Sequence, residues 1–243
     1  MSTLARRALL ITAALSVISC AHAQTVTGSG RSVTETRTVS GFEAVQLEAS
    51  MKLVLRQGTQ EAVQVQADDN LVPLIETLVE TRGSLPTLVV RWKRNTSIRS
   101  QQALVVTVDA VRVRALSASG SGSIEAATLK TDRLRLNVAG SGDVQVKELA
   151  ADDVEASIAG SGDVKAGGRA ARVKVSIAGS GDADLSNLNA DDVKVSIAGS
   201  GDAKVSADQA LSVSIAGSGD VRYGGKVTAV KTSIVGSGDV RRR

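Results

Sequence analysis

The stretch VKVSIAGSGDAKV, Val193–Val205, alternates along its whole length. Val193, Val195, Ile197, Gly199, Gly201, Ala203 and Val205 share one parity. Lys194, Ser196, Ala198, Ser200, Asp202 and Lys204 share the other. An apolar or glycine face opposite a small or charged face is the period-2 signature of a half-buried strand. The core of the stretch, IAGSGD, recurs between Ile158 and Asp220. Its reading decides the fold: either it is a binding loop used many times, or it is the frame of the protein.

The spacing favours the frame. Gly-Ser-Gly triplets of the C-terminal half begin at Gly120, Gly140, Gly160, Gly179, Gly199, Gly217 and Gly236, in steps of 18 to 20 residues. A period near 19 marks a repeat architecture whose units stack to bury one continuous core. Helical repeats run longer, and these units are rich in Val, Ile, Ser and Gly, a strand composition. The expected fold is therefore all-β: a right-handed parallel β-helix with about 19 residues per coil. An antiparallel sandwich is the alternative, but its turn signals would fall every 8–12 residues or so. By parity, both glycines of each triplet lie on the inward face. Gly140, Gly142, Gly160, Gly162, Gly179, Gly181, Gly199, Gly201, Gly217, Gly219, Gly236 and Gly238 are read as structural, shaping one corner of each coil. Segments such as SNLNADD (Ser186–Asp192) and KELAADD (Lys147–Asp153) close the coils with turn-forming Asn and Asp.

The N-terminus has the layout of an export signal. Arg6 and Arg7 precede an apolar run from Ala8 to Ile18, and Ala21-His22-Ala23 forms a small-x-small cleavage site. Residues 1–23 are thus expected to be removed between Ala23 and Gln24. A second reading takes Cys20 in VISC as a lipidation site, giving an outer-membrane lipoprotein; both readings stay open. Either places the protein outside the cytoplasm, in the periplasm or at the cell surface, with membrane contact only through an anchor at Cys20. Residues 24–243 are read as one domain, with irregular coils over 24–115 and GSGD coils over 116–243.

Composition narrows the chemistry. His22 and Cys20 are the single His and Cys of the chain, so a chain beginning at Gln24 contains neither. Ser-His-Asp and Cys-His catalysis, disulfides and Cys/His metal sites are excluded from it. No cofactor is expected. The part after Ala23 holds 27 Lys+Arg against 25 Asp+Glu and three aromatic residues, Phe42, Trp92 and Tyr223. Near-neutral charge without stacking platforms argues against a nucleic-acid partner. The triplets lack the Gly-Lys-Ser/Thr of a P-loop and open no helix.

Two outward columns remain. The first is Asp143, Asp163, Asp182, Asp202, Asp220 and Asp239, weak candidates for calcium. Carboxylates stacked about 4.8 Å apart repel by roughly 1 kcal/mol even in water. Backbone N–H groups and the cations Lys165, Lys204, Arg222 and Arg241 are the expected compensation, in preference to a metal. The second column is Ser157, Ser176, Ser196, Ser214 and Ser233, read as solvated residues on a flat face. Ser196 with Lys194 is the catalytic pair this column would offer. A polysaccharide-cleaving β-helix needs paired carboxylates in a cleft, usually with aromatic platforms, and the platforms are missing here.

Before Gly120, strands continue in AVQLEASMKLVLRQG, AVQVQAD and TLVVRWK. DDNLVPLIETLVE (Asp68–Glu80) has room for a short helical turn limited by Pro73. VSGFEAVQLEASMKLVLRQG (Val39–Gly58), VQVQADDNLVPLIETLVE (Val63–Glu80) and the repeated GSGDV together resemble the bacterial family of auto-transporter adhesin head GIN domains. The resemblance implies an exported parallel β-helix at the cell envelope and supplies no catalytic residues. No β-barrel segment follows, and the chain ends GSGDVRRR, so a complete autotransporter is not expected. Arg241, Arg242 and Arg243 are read either as blocking edge pairing by charge or as lining an end-stacking homo-oligomer interface. The expected function is that of a non-enzymatic envelope protein, an adhesin or interaction module whose partner is an envelope protein or a glycan surface. A polysaccharide hydrolase or lyase is the first alternative, and a calcium-stabilised repeat the second.

Overall fold

The computed structural model describes residues 24–243. The expectations at Cys20 and Ala23, like the rest of residues 1–23, lie outside the described residues. The strands are β1 (Gln24–Thr27), β2 (Ser32–Arg37), β3 (Ala44–Glu48), β4 (Lys52–Gln57), β5 (Ala62–Asp68) and β6 (Ile75–Arg82). They continue as β7 (Leu85–Trp92), β8 (Thr96–Arg99), β9 (Val105–Ala110), β10 (Ala115–Gly120), β11 (Ser123–Gly140) and β12 (Asp143–Gly160). The last are β13 (Val164–Gly179), β14 (Ala183–Gly199), β15 (Ala203–Gly217), β16 (Val221–Gly224), β17 (Val230–Gly236) and β18 (Val240–Arg242).

From β10 onward each coil pairs in parallel with the next. The result is a β-solenoid of about six turns, the parallel β-helix expected from the repeat. Each of β11 to β15 wraps most of a coil, and its burial pattern shows where it bends. In β12, Val144 and Val146 point in, then Lys147 and Glu148 both point out. Leu149 points in and Ala151 packs against the core, then Asp152 and Asp153 stay outside; Val154, Ala156 and Ile158 point in, then Ala159, Gly160 and Ser161 do not. A strand can place two successive residues outside only by turning, so each coil has three faces and three corners. The changes of repeat length fall at the first two corners. Register shifts occur between Val146/Leu149, Lys165/Gly167, Leu185/Asn189 and Ala190/Asp192, while the third face and the Gly-Ser-Gly corner stay in unbroken register.

Because the register is unbroken, like side chains stack on like. Val138, Ile158, Ile177, Ile197, Ile215 and Ile234 form one inward column. All are buried except Ile234 of the last coil, which is 40% exposed. Burying each such side chain contributes about 1.5–3 kcal/mol, and a single core cluster runs from Phe42 to Val227.

The N-terminal half departs from a simple succession of coils. β3 and β4 form a coil, yet the coil beginning at β10 stacks on one side of it and β7 with β9 on the other. Stacking order is therefore not chain order. Antiparallel strands then close this end: β6 on β7, β5 on β9 and β2 on β5. The helical turn expected around Pro73 is a single 3₁₀ turn, Val72–Leu74, and the rest of that segment is β6. The turn Asp68-Asp69-Asn70 clamps the first described residues. Asp68, 1% exposed, accepts the Gly30 N–H at 2.7 Å and the Ser100 hydroxyl. Asn70 accepts the Ser29 N–H and donates to the Thr27 carbonyl, at 2.9 and 2.8 Å. Asp69 pairs with Arg31.

Candidate functional site

The repeated corner is built by backbone. In the third triplet Gly160 has φ of +129°, a region that side chains rarely adopt. Its partner Gly162 is buried and points inward, where a Cβ would lie 2.7 Å from Val138 Cγ1 and closer still to the carbonyl oxygen of Gly142. The expectation that both glycines face inward is thus corrected for the first one. The positive φ turns it to the corner itself, where it is exposed or half-buried. The triplet's donors are consumed by the stack. The N–H groups of Ser161 and Gly162 both donate to the Gly140 carbonyl, at 2.8 and 3.1 Å, and the same pair of bonds recurs at Ser180 with Gly181 and at Ser200 with Gly201. A phosphate cradle needs such donors free and converging, so these corners do not form one.

The aspartate column is a hydrogen-bonded ladder. Each of the Asp143, Asp163, Asp182, Asp202 and Asp220 carboxylates accepts the backbone N–H of the next Asp, at 2.8–3.2 Å. Asp239 accepts the Val240 N–H at 2.7 Å and pairs with Arg241. The expected cations do not all serve this column: Lys204 lies 3.7 Å from Asp184 instead. Among the described residues, no three His, Cys, Asp or Glu side chains gather in a way that would hold a metal ion. The serine column is in register from Ser157 to Ser233 and outward-facing. Its extension toward the N-terminus carries a side-chain bond from Asn137 Nδ2 to Ser117 Oγ, at 3.2 Å.

The third face carries what was not read from the sequence: a groove of about 1050 Å³ running along the stack. Its floor is the inward column Val154, Val173, Val193 and Leu211. Residues on either side of each floor position point outward and form two rows. One row is Arg133, Asp153, Arg172, Asp192 and Ala210; the other is Arg135, Glu155, Lys174, Lys194, Ser212 and Lys231. Ion pairs knit the first coils together. Asp153 takes Arg172 at 2.6 Å and Arg133 at 3.3 Å, and Glu155 takes Lys174 at 2.8 Å and Arg135 at 3.8 Å. These partners lie 19 or 20 residues apart. Aligning the coils at this position, as was done for the Asp and Ser columns, would have revealed the alternation.

The ladder sets a pH dependence. The hydrogen bond from Arg172 holds the Asp153 carboxyl below its ordinary range, with Arg133 adding to it, and Lys174 does the same for Glu155. Ser29 and Arg31 lower Asp69, and Arg241 lowers Asp239. All four are depressed in the folded state, so the unfolded chain binds more protons as pH falls and stability rises with pH. The contribution is complete above the ordinary carboxylate range, near 4, and is lost as pH drops through the lower folded values. The melting temperature is therefore expected to hold between about pH 7 and 5 and to fall between about pH 4 and 3. Circular dichroism melts at stepped pH check this, and Arg172→Ala should make the acid fall shallower.

The family described as "Putative auto-transporter adhesin, head GIN domain" matches residues 41–227. A putative adhesin from Bacteroides fragilis superposes with a TM-score of 0.83 at 24% identity, over 90% of this chain and 100% of that one. A putative lipid binding protein from Parabacteroides distasonis gives 0.71 at 23%, over 90% and 100%. A putative adhesin from Parabacteroides merdae gives 0.70 at 24%, over 90% and 99%. At such identities the likeness shows the fold. None of the curated proteins compared matches the sequence.

Proposed function

Since the chain belongs to the family of putative auto-transporter adhesin, head GIN domains, we propose that it is an exported, non-enzymatic β-helix of the cell envelope that adheres to a surface through its stacked faces. The observation that supports this reading is the family match over 41–227, on a fold whose outer columns are ladders of like residues. In-register faces repeat the same side chains at about 4.8 Å along the stack. That geometry suits many weak contacts to an extended partner better than one deep pocket around a reacting bond. The carboxylates of the Asp ladder, and Asp153 and Glu155 on the third face, are bound to backbone N–H groups or to cations rather than paired with each other across a cleft.

Adhesion of coated particles tests the reading. Beads carrying the purified full chain should be retained on bacterial envelope preparations or on immobilised acidic glycans well above beads carrying albumin. Retention no better than albumin on every surface overturns it. New reducing ends released from acidic glycans by the protein would replace it with the enzymatic alternative.

A further inference from the structure

The groove of the third face changes character along its length. In the coils of β11 to β13 its charges are paired: two carboxylates, Asp153 and Glu155, are shared among Arg133, Arg172, Arg135 and Lys174. In the coils of β14 to β17 the pairing stops. Lys194 and Lys231 make no ion pair among the described residues, and Ser212 stands between them in the same row. The facing row keeps one carboxylate, Asp192, in the coil of Lys194 and then shrinks to Ala210 and Ala229. Small residues on one side and unpaired ammonium groups on the other make a trough open to solvent. The whole groove, six coils at about 4.8 Å, is about 24 Å long, and the trough is its C-terminal three coils. Counting its whole lining, six basic side chains face three acidic ones, Asp153, Glu155 and Asp192.

We propose that this groove binds a linear acidic polysaccharide along the stack, with the glycan's carboxylate or sulfate groups at Lys194, Ser212 and Lys231. The inference rests on the adhesion reading and names its ligand. The charge surplus calls for an anion, and the row repeats at coil spacing, so the anion is a chain rather than a point. The third face keeps its register across six coils, which fits a linear polymer. The lining contains no aromatic ring, so the stacking that holds single-stranded nucleic acid is missing. Lysine ammonium groups with a neighbouring hydroxyl suit dispersed anionic groups reached by flexible stems.

Titration calorimetry on the full chain tests this with four probes: polygalacturonate, dextran sulfate, neutral dextran and oligothymidylate. Binding is expected to at least one of the two acidic glycans, weakening with added salt, and not to dextran. The double substitution Lys194→Ala with Lys231→Ala should weaken that binding about tenfold. Lys165→Ala with Arg222→Ala removes the same charge from another face and should leave it within about twofold. Equal weakening by both pairs, tighter binding of oligothymidylate, or no binding of either acidic glycan overturns the proposal. Bead adhesion separates this failure from that of the adhesion reading. Beads carrying the Lys194→Ala, Lys231→Ala protein that adhere like the parent sink the groove assignment alone. Parent beads that do not adhere sink the adhesion reading.

Discussion

Gly162→Ala is expected to lower the melting temperature by roughly 6–12 °C, a loss of about 3 kcal/mol. The added methyl group would enter the core side of the corner, 2.7 Å from Val138 Cγ1 and far inside van der Waals contact with the Gly142 carbonyl oxygen. Side chains can rotate away from an intruder, but the second obstacle is backbone. Coils 142 and 162 would have to separate, and the Ser161 and Gly162 N–H bonds to the Gly140 carbonyl would stretch with them. Gly181 stacks on Gly162 in the same way, so the strain reaches coils on both sides. Ser161→Ala, one residue away and exposed, should change stability by no more than about 0.5 kcal/mol. Thermal melts of the two variants decide the matter. A Gly162→Ala protein melting within about a degree of its parent would mean that backbone approach does not set the glycine there.

The regular half was legible because each coil packs on a near copy of itself. Parity identified Val193, Val195 and Ile197 as inward, and the 19-residue period required that they stack on Val173, Val175 and Ile177. Corners were legible only as composition. Counting parity straight through Gly160 placed it inside, because alternation assumes an extended backbone and φ of +129° breaks that assumption. The order of coils in the N-terminal half left no trace. Parallel pairing of β3 with both β10 and β7 depends on backbone hydrogen bonds, which any sequence supplies. Nothing in AVQLE says that its neighbour on one side lies about 70 residues away in β10 and on the other about 40 away in β7.

The groove was hidden for a related reason. Along the chain, Arg133 and Arg135 read as an ordinary solvated strand face, as do Asp153 and Glu155. Stacking brings the two sets together and turns two like-charged faces into a ladder of opposite charges. Exposed pairs of this kind contribute little each, about 0–1 kcal/mol. Their effect is to fix which charges are spent within the stack. What they leave over, the cations Lys194 and Lys231 against the single carboxylate Asp192, stands in the C-terminal coils, and the binding proposal rests on that remainder.

The second large effect is expected at the other end of the molecule. Asp68→Ala should loosen the first described residues by about 3 kcal/mol and expose Arg31 to trypsin. Asp68 is a buried carboxylate that accepts the Gly30 N–H and the Ser100 hydroxyl, and it fills the space against Gly28. Removing it leaves the Gly30 N–H and the half-buried Ser100 hydroxyl without their charged acceptor, and hydrogen bonds to a charged group contribute about 1.5–3 kcal/mol each. The neighbouring contacts from Asn70 to Ser29 and Thr27 hold the same segment, so they weaken together. Asp69→Ala removes an exposed pair with Arg31 and the acceptor of the Ser29 hydroxyl, and should cost much less than Asp68→Ala. The difference between these neighbours separates a buried clamp from a charged turn. Hydrogen exchange over residues 24–37 should rise sharply in Asp68→Ala, while the coils from Asp143 to Gly217 keep their protection, because their stacking does not involve this turn. If tryptic cleavage at Arg31 is no faster in Asp68→Ala than in the parent, the segment is held by its strand pairings and by Asn70, and the buried carboxylate is not its clamp.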